Sequence, residues 1–113
     1  MARKHSHYFN AVINGSMGAD ITSPTSHVGQ CDKATYHCVW TGSPVGEIIV
    51  EVNLSPDDEN KWYQIDTGQI VVNGAGSKEI ILSLCHERIR LKYVRTSGTG
   101  TLNVELRSLS IGA

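Results

Sequence analysis

The stretch ATYHCVWTGSPVGEIIVEVNL, residues Ala34–Leu54, decides the fold class. In its first run Ala34, Tyr36, Cys38 and Trp40 share one face, and Thr35, His37, Val39 and Thr41 share the other. Its second run carries Ile48, Val50, Val52 and Leu54 at period two, with Glu47, Glu51 and Asn53 between them. Alternation of this kind buries one face of a β-strand and wets the other. The aromatic face of the first run is the better core candidate, because Tyr and Trp bring most of the buried area. Between the runs, Thr41-Gly42-Ser43-Pro44-Val45-Gly46 reads as the loop of a β-hairpin. Ile49 is the apolar exception on the outer face and is predicted to be a partner contact.

Working outward, the same signals recur. Tyr8–Asn14 reads as a first strand, with Phe9, Ala11 and Ile13 on one side, ending at the turn signal Asn14-Gly15. A weaker strand is expected over Met17–Thr22, broken by Ser23-Pro24-Thr25-Ser26. His27–Asp32 suits an edge strand or a loop. Ser55-Pro56-Asp57-Asp58-Glu59-Asn60 is a polar loop leading into Trp62, and Gln69–Val72 and Glu79–Leu84 are short apolar strands. Arg90–Thr96 and Thr101–Leu109, joined by Ser97-Gly98-Thr99-Gly100, read as a closing hairpin. No stretch sustains a helical period. Strands punctuated by turns at this spacing predict an all-β protein, a single antiparallel β-sandwich or jelly-roll domain over residues 8–113. Residues 1–7, polar and basic, are expected to form a flexible arm that orders on assembly.

The totals bound the function. The chain has 113 residues, with 10 basic against 11 acidic, a formal charge of −1 that argues against direct binding of duplex nucleic acid. No apolar run is long enough to span a membrane, and Met1–His7 lacks the apolar core of a signal peptide. A protein that stays in the compartment where it is made is the expectation. Three cysteines, Cys31, Cys38 and Cys85, are too few for a disulfide scaffold and read as free thiols.

No catalytic constellation stands out. His27, Cys31, His37, Cys38, Cys85 and His86 invite a metal reading, but no C-x2-C or H-x3-H pair occurs, and neighbours on a strand point to opposite faces. A nucleophile at Cys85 beside His86 fails for the same reason. The acidic loop at Asp57-Asp58-Glu59-Asn60 lacks the pattern of a calcium site. The predicted chain therefore has no catalytic residue, no cofactor and no metal. Trp62, Tyr63 and Tyr8 could form a stacking platform for sugars; the competing reading makes at least Trp62 and Trp40 core residues.

A resemblance narrows the field. Val39-Trp40-Thr41-Gly42-Ser43-Pro44-Val45-Gly46, running into Glu51-Val52-Asn53-Leu54-Ser55 and Lys61-Trp62, resembles a pattern of small virion structural proteins of tailed bacteriophages. Arg90-Leu91-Lys92-Tyr93-Val94-Arg95-Thr96-Ser97-Gly98-Thr99-Gly100-Thr101-Leu102 is similar to the final hairpin of the same proteins. The two blocks cover about half the chain and consist of turn and core determinants. The Ser-Pro-Asp-Asp-Glu-Asn loop and the cysteines depart from the pattern.

The resemblance implies a non-enzymatic virion protein, made in the host cytoplasm and carried in the particle. Its leading form is a capsid decoration protein bound to the major capsid protein of the assembled head. The close variant under the resemblance is a tail, neck or fibre component; a carbohydrate-binding β-sandwich module using Trp62 and Tyr63 is a separate reading of another class. The resemblance also implies a small homo-oligomer, a trimer or dimer. The contact residues expected on this basis are Arg3, Lys4 and His5 in the arm, Ile49, and the pair Trp62 and Tyr63.

Overall fold

A computed structural model describes residues 3–27, 33–55, 57–58, 60–65, 69–83 and 88–112. Among the described residues ten strands form: β1 Arg3–Ser16, β2 Ile21–Thr22, β3 Ser26–His27, β4 Lys33–Gly42, β5 Val45–Asn53, β6 Tyr63–Gln64, β7 Ile70–Asn73, β8 Gly76–Ser83, β9 Arg88–Ser97 and β10 Gly100–Gly112. Every pairing is antiparallel. One sheet runs β1-β10-β4-β8; the other runs β2-β9-β5-β6, with β3 also on β9 and β7 also on β5. Successive strands pass from sheet to sheet in the manner of a jelly roll, except that β2 and β3 stay in one sheet, as do β5 to β7. The expected all-β, jelly-roll architecture is the one observed.

The core lies between the sheets. From the four-stranded sheet come Tyr36, Cys38, Trp40, Ile80, Leu82, Leu102, Val104 and Leu106. Ile48, Val50, Val52, Val72, Ile89, Leu91 and Tyr93 face them from the other sheet. The inward sets expected for the first and second runs are therefore buried, except Leu54, which is exposed at the end of β5. Asn53, expected outside, is fully buried, because its amide organises the loop that follows.

Both expected hairpins are something else. β4 and β5 do not pair; β4 lies between β10 and β8, and β5 between β9 and β7. Ser43 and Pro44 carry the chain across the sandwich, from one sheet to the other. β9 and β10 are related in the same way through Gly98 and Thr99. Alternation buries one face of each arm equally well when the arms look at each other across a core, so the pattern alone does not choose the strand partner.

The two crossings lie side by side: Gly42 is in register with Gly100, Val45 with Ser97, and the Ser43 N–H donates to Thr99 O at 2.9 Å. A third crossing, from β7 to β8, joins them as the Gly74 N–H donates to Pro44 O at 2.9 Å and Trp40 Nε1 donates to Gly74 O at 2.7 Å. The β1–β2 crossing completes this end of the sandwich, with Met17 N–H on Gly100 O at 2.9 Å and the Met17 side chain sealed in the core. Only β2 forms in the segment expected as a strand over Met17–Thr22.

β1 is longer than expected and irregular. Its pairing with β10 runs from Arg3↔Gly112 to Ser16↔Thr101, so residues 3–7, read as an arm, lie along β10. Register shifts fall between Asn10 and Val12 and between Val12 and Gly15. The first is a bulge that turns both Ala11 and Val12 inward and leaves Ile13 exposed, reversing the expected face of Ile13. At the second, Asn14 sits at φ 50° and its N–H donates to Asn103 Oδ1 at 2.9 Å. The Asn-Gly pair expected as a turn instead places a left-handed residue inside the strand, a conformation Asn tolerates better than most.

Candidate functional site

The residues singled out from the sequence are not gathered in one place. Arg3, Lys4 and His5 lie at the start of β1, along the end of β10. Ile49 occupies the outer face of the six-stranded sheet but is only 7% exposed, so it offers a partner little surface. Its neighbour in register is Lys92. Tyr8 belongs to the other sheet, so it cannot join Trp62 and Tyr63 in a three-ring platform. Tyr63, 59% exposed, shares a shallow recess with Leu54, Ser55 and Lys61.

Trp62 leads to the best-organised polar site. It precedes β6, and its half-buried ring lies under the Arg90 guanidinium, 4.1 Å from the ring centroid. Arg90 Nε donates to Glu51 Oε1 at 2.8 Å, and Lys92 Nζ lies 3.9 Å from the same oxygen. Arg90 and Glu51 are opposite each other on β9 and β5, so the register brings guanidinium, carboxylate and ring together. Two residues along β9, Arg88 Nη1 donates to Ser55 O at 2.9 Å and to Asn53 Oδ1 at 3.3 Å. Asn53 in turn donates through Nδ2 to Asp58 O at 2.8 Å and accepts from Ser55 N–H at 3.0 Å.

These bonds tie the polar loop after β5 to the face of β9. A cleft of about 260 Å³ opens beside them, lined by Thr25, His27, Asn60, Trp62, Arg88 and Arg90. Its chemistry is that of recognition: two guanidiniums held at fixed positions, an imidazole, an amide and an aromatic edge. The sequence pointed to Trp62 but not to Arg88, Arg90 or Asn53. Arg88 and Arg90 stand at period two on one strand, but only their pairing with β5 gives that spacing a meaning.

Of the metal candidates, Cys31, Cys85 and His86 lie outside the described residues, as does most of His27–Asp32. Among the described residues no group of three His, Cys, Asp or Glu side chains is placed to hold a metal ion. Cys38 is a buried free thiol. Burial pushes it up from 9.0 to about 12, far from the range of a nucleophile at neutral pH.

The two-sheet arrangement recurs in solved structures. The chain is similar to the SPBc2 prophage-derived protein YomS over 96% of both chains, with a TM-score of 0.64 and 12% sequence identity. It also matches the PBSX exported protein XepA, covering 95% of this chain and 38% of that one, at a TM-score of 0.64 and 15% identity. A third match is the VP2 subviral particle of infectious bursal disease virus, covering 96% of this chain and 33% of that one, at a TM-score of 0.55 and 11% identity. The chain thus spans 38% of the XepA chain and 33% of the VP2 chain. No family model and no curated protein sequence matches it. At such identities the likeness is one of fold: this chain is a jelly-roll β-sandwich of the same shape as domains in prophage-encoded and viral proteins.

Proposed function

We propose that the chain is a non-enzymatic structural protein of a tailed-bacteriophage virion, and that it decorates the assembled head through the major capsid protein. The observation that carries this reading is the end-to-end match to a prophage-derived protein of similar extent, 96% of each chain. The sequence blocks that resemble phage virion proteins support it, and they form the stacked crossings at one end of the fold. The site chemistry is compatible. Ion pairs and hydrogen bonds around Arg90 and Arg88 fix a loop, and the cleft offers recognition groups without a nucleophile–base pair.

Sheet edges supply contact surface. β1 and β8 are the outer strands of the four-stranded sheet, with backbone groups on one side open to a neighbouring subunit. Arg3, Lys4 and His5, at the start of β1, are proposed to reach that neighbour, with Trp62 and Tyr63 as a second contact on the other sheet. Of the residues first chosen for contact, Ile49 is too buried to serve.

The test is the composition of particles released from cells carrying the chain in its native genomic setting. Quantitative mass spectrometry of purified virions is expected to find it in many copies, and immunogold labelling to place it over the head. Label confined to the tail would move the assignment to a tail, neck or fibre component. Absence from purified particles would overturn the virion reading altogether.

A further inference from the structure

The outer face of the four-stranded sheet takes no part in the core or the Trp62 cleft. Register sets its side chains in rows. One row reads Tyr8, Arg107, Thr35, Ile81 from β1 across to β8, and the next reads Asn10, Glu105, His37, Glu79. A third continues with Asn103, Val39 and Ser77. Apolar groups stand out to solvent here: Tyr8 is 60% exposed, Ile81 67% and Val39 42%. The other sheet's outer face treats its charges differently, with Arg90 and Lys92 on Glu51 and Gln69 bonded to Glu47. Among the described residues no ion pair uses Arg107, Glu105 or Glu79.

We propose that two copies of the chain pair through this face, about a two-fold axis running along the strands between β10 and β4. Each row then meets its own reverse, as an isologous contact requires. Tyr8 lies opposite the partner's Ile81, and Glu105 lies opposite the partner's His37. Asn103 lies opposite the partner's Val39. The placement of the axis follows from charge. Moved onto β10, it would oppose Glu105 to itself; moved onto β4, it would oppose Glu105 to the partner's Glu79. Turned across the strands between the first two rows, it would bury Ile81 against the partner's Glu79. The chosen axis sets Tyr8 on Ile81 at the flanks of the first row and an acid on an imidazole at the centre of the second.

The area suits a modest dimer. Four strands about 4.8 Å apart, each presenting about eight residues at about 3.4 Å, offer roughly 500 Å² per copy. About 1,000 Å² in total is the threshold of a specific interface. The proposal gives surface and symmetry to the oligomer of the virion reading. It is tested on the isolated chain, so its failure leaves the copy-number experiment untouched.

Sedimentation equilibrium from about 1 to about 100 µM is expected to show a monomer–dimer equilibrium. Ile81→Asp and Glu105→Lys, both at solvent-facing positions, are each expected to weaken it at least about tenfold while leaving the thermal melting curve unchanged. Glu105→Lys combined with His37→Glu is expected to restore pairing to within about threefold of the parent. A monomer at every concentration overturns the proposal and leaves the face to a different protein. Dimerisation indifferent to Ile81→Asp overturns it too, as does a charge swap that fails to rescue.

Discussion

Cys38 and Tyr36 face inward from β4, two residues apart, and both are fully buried. Burial raises the Cys38 thiol from 9.0 to about 12, and burial together with Cys38 raises the Tyr36 hydroxyl as well. Each group keeps its proton more tightly folded than unfolded. Their contribution to stability is complete below about pH 9 and is lost as the pH climbs towards 12. Thermal melts from neutral pH upward are expected to be flat to about pH 9 and then to fall, less steeply in Cys38→Ala. Peptide mapping after iodoacetamide at about pH 8 is expected to show Cys38 unmodified in the folded protein and modified once it is unfolded. Tyr36 carries a further expectation, since its hydroxyl is buried beside the Ser23 and Ser26 hydroxyls and makes no well-formed hydrogen bond among the described residues. Tyr36→Phe is expected to change stability by less than about 1 kcal/mol, or to raise it, in a denaturant titration. Residue by residue, the inward set of β4 was legible because alternation is strict there. Asn53 and Ile49 were not. The bonds that bury Asn53 come from Asp58, Ser55 and Arg88, and no period of the sequence announces them.

Among the elements, the crossings decide most. Gly98 has φ +77°, and a Cβ there would overlap Ser43 O of the adjacent crossing. Gly74 has φ +80°, yet nothing lies within 4 Å of where its Cβ would be. The pair separates two costs that glycine avoids. Gly74→Ala bears only the left-handed conformation, about 1 to 2 kcal/mol, whereas Gly98→Ala must also push two chain segments apart, for a total of about 3 kcal/mol or more. Urea unfolding of the two variants is expected to rank them in that order; equal losses would mean that the crossings are not tightly stacked. Turn chemistry was plain in the sequence at Thr41–Gly46 and Ser97–Gly100, but it did not say which strand each arm would pair with. That choice rests on contacts between segments 35 or more residues apart, and local pattern carries no record of them. In β1 the same limit shows differently. A bulge needs one extra residue opposite a partner strand, and the need is invisible until the partner is known.

At the scale of the molecule, two separate blocks of sequence that resemble phage virion proteins become one structural unit, β4 beside β10 and β5 beside β9. The candidate site was legible only at Trp62, because Arg88, Arg90 and Glu51 meet through register. The jelly-roll topology has a further consequence, which concerns time. β1 finds its partner in β10, at the far end of the described chain, and β4 is flanked by β10 and β8. No strand of the four-stranded sheet has a neighbour in sequence beside it, so every loop that must close is long. Refolding from denaturant, followed by the fluorescence of Trp40 and Trp62, is therefore expected to take milliseconds to seconds rather than microseconds. A chain ending before Gly100 is expected to show no cooperative melt. During synthesis, β1 and β4 must wait with open edges until β10 clears the ribosome, and that interval is when the protein is most exposed to aggregation.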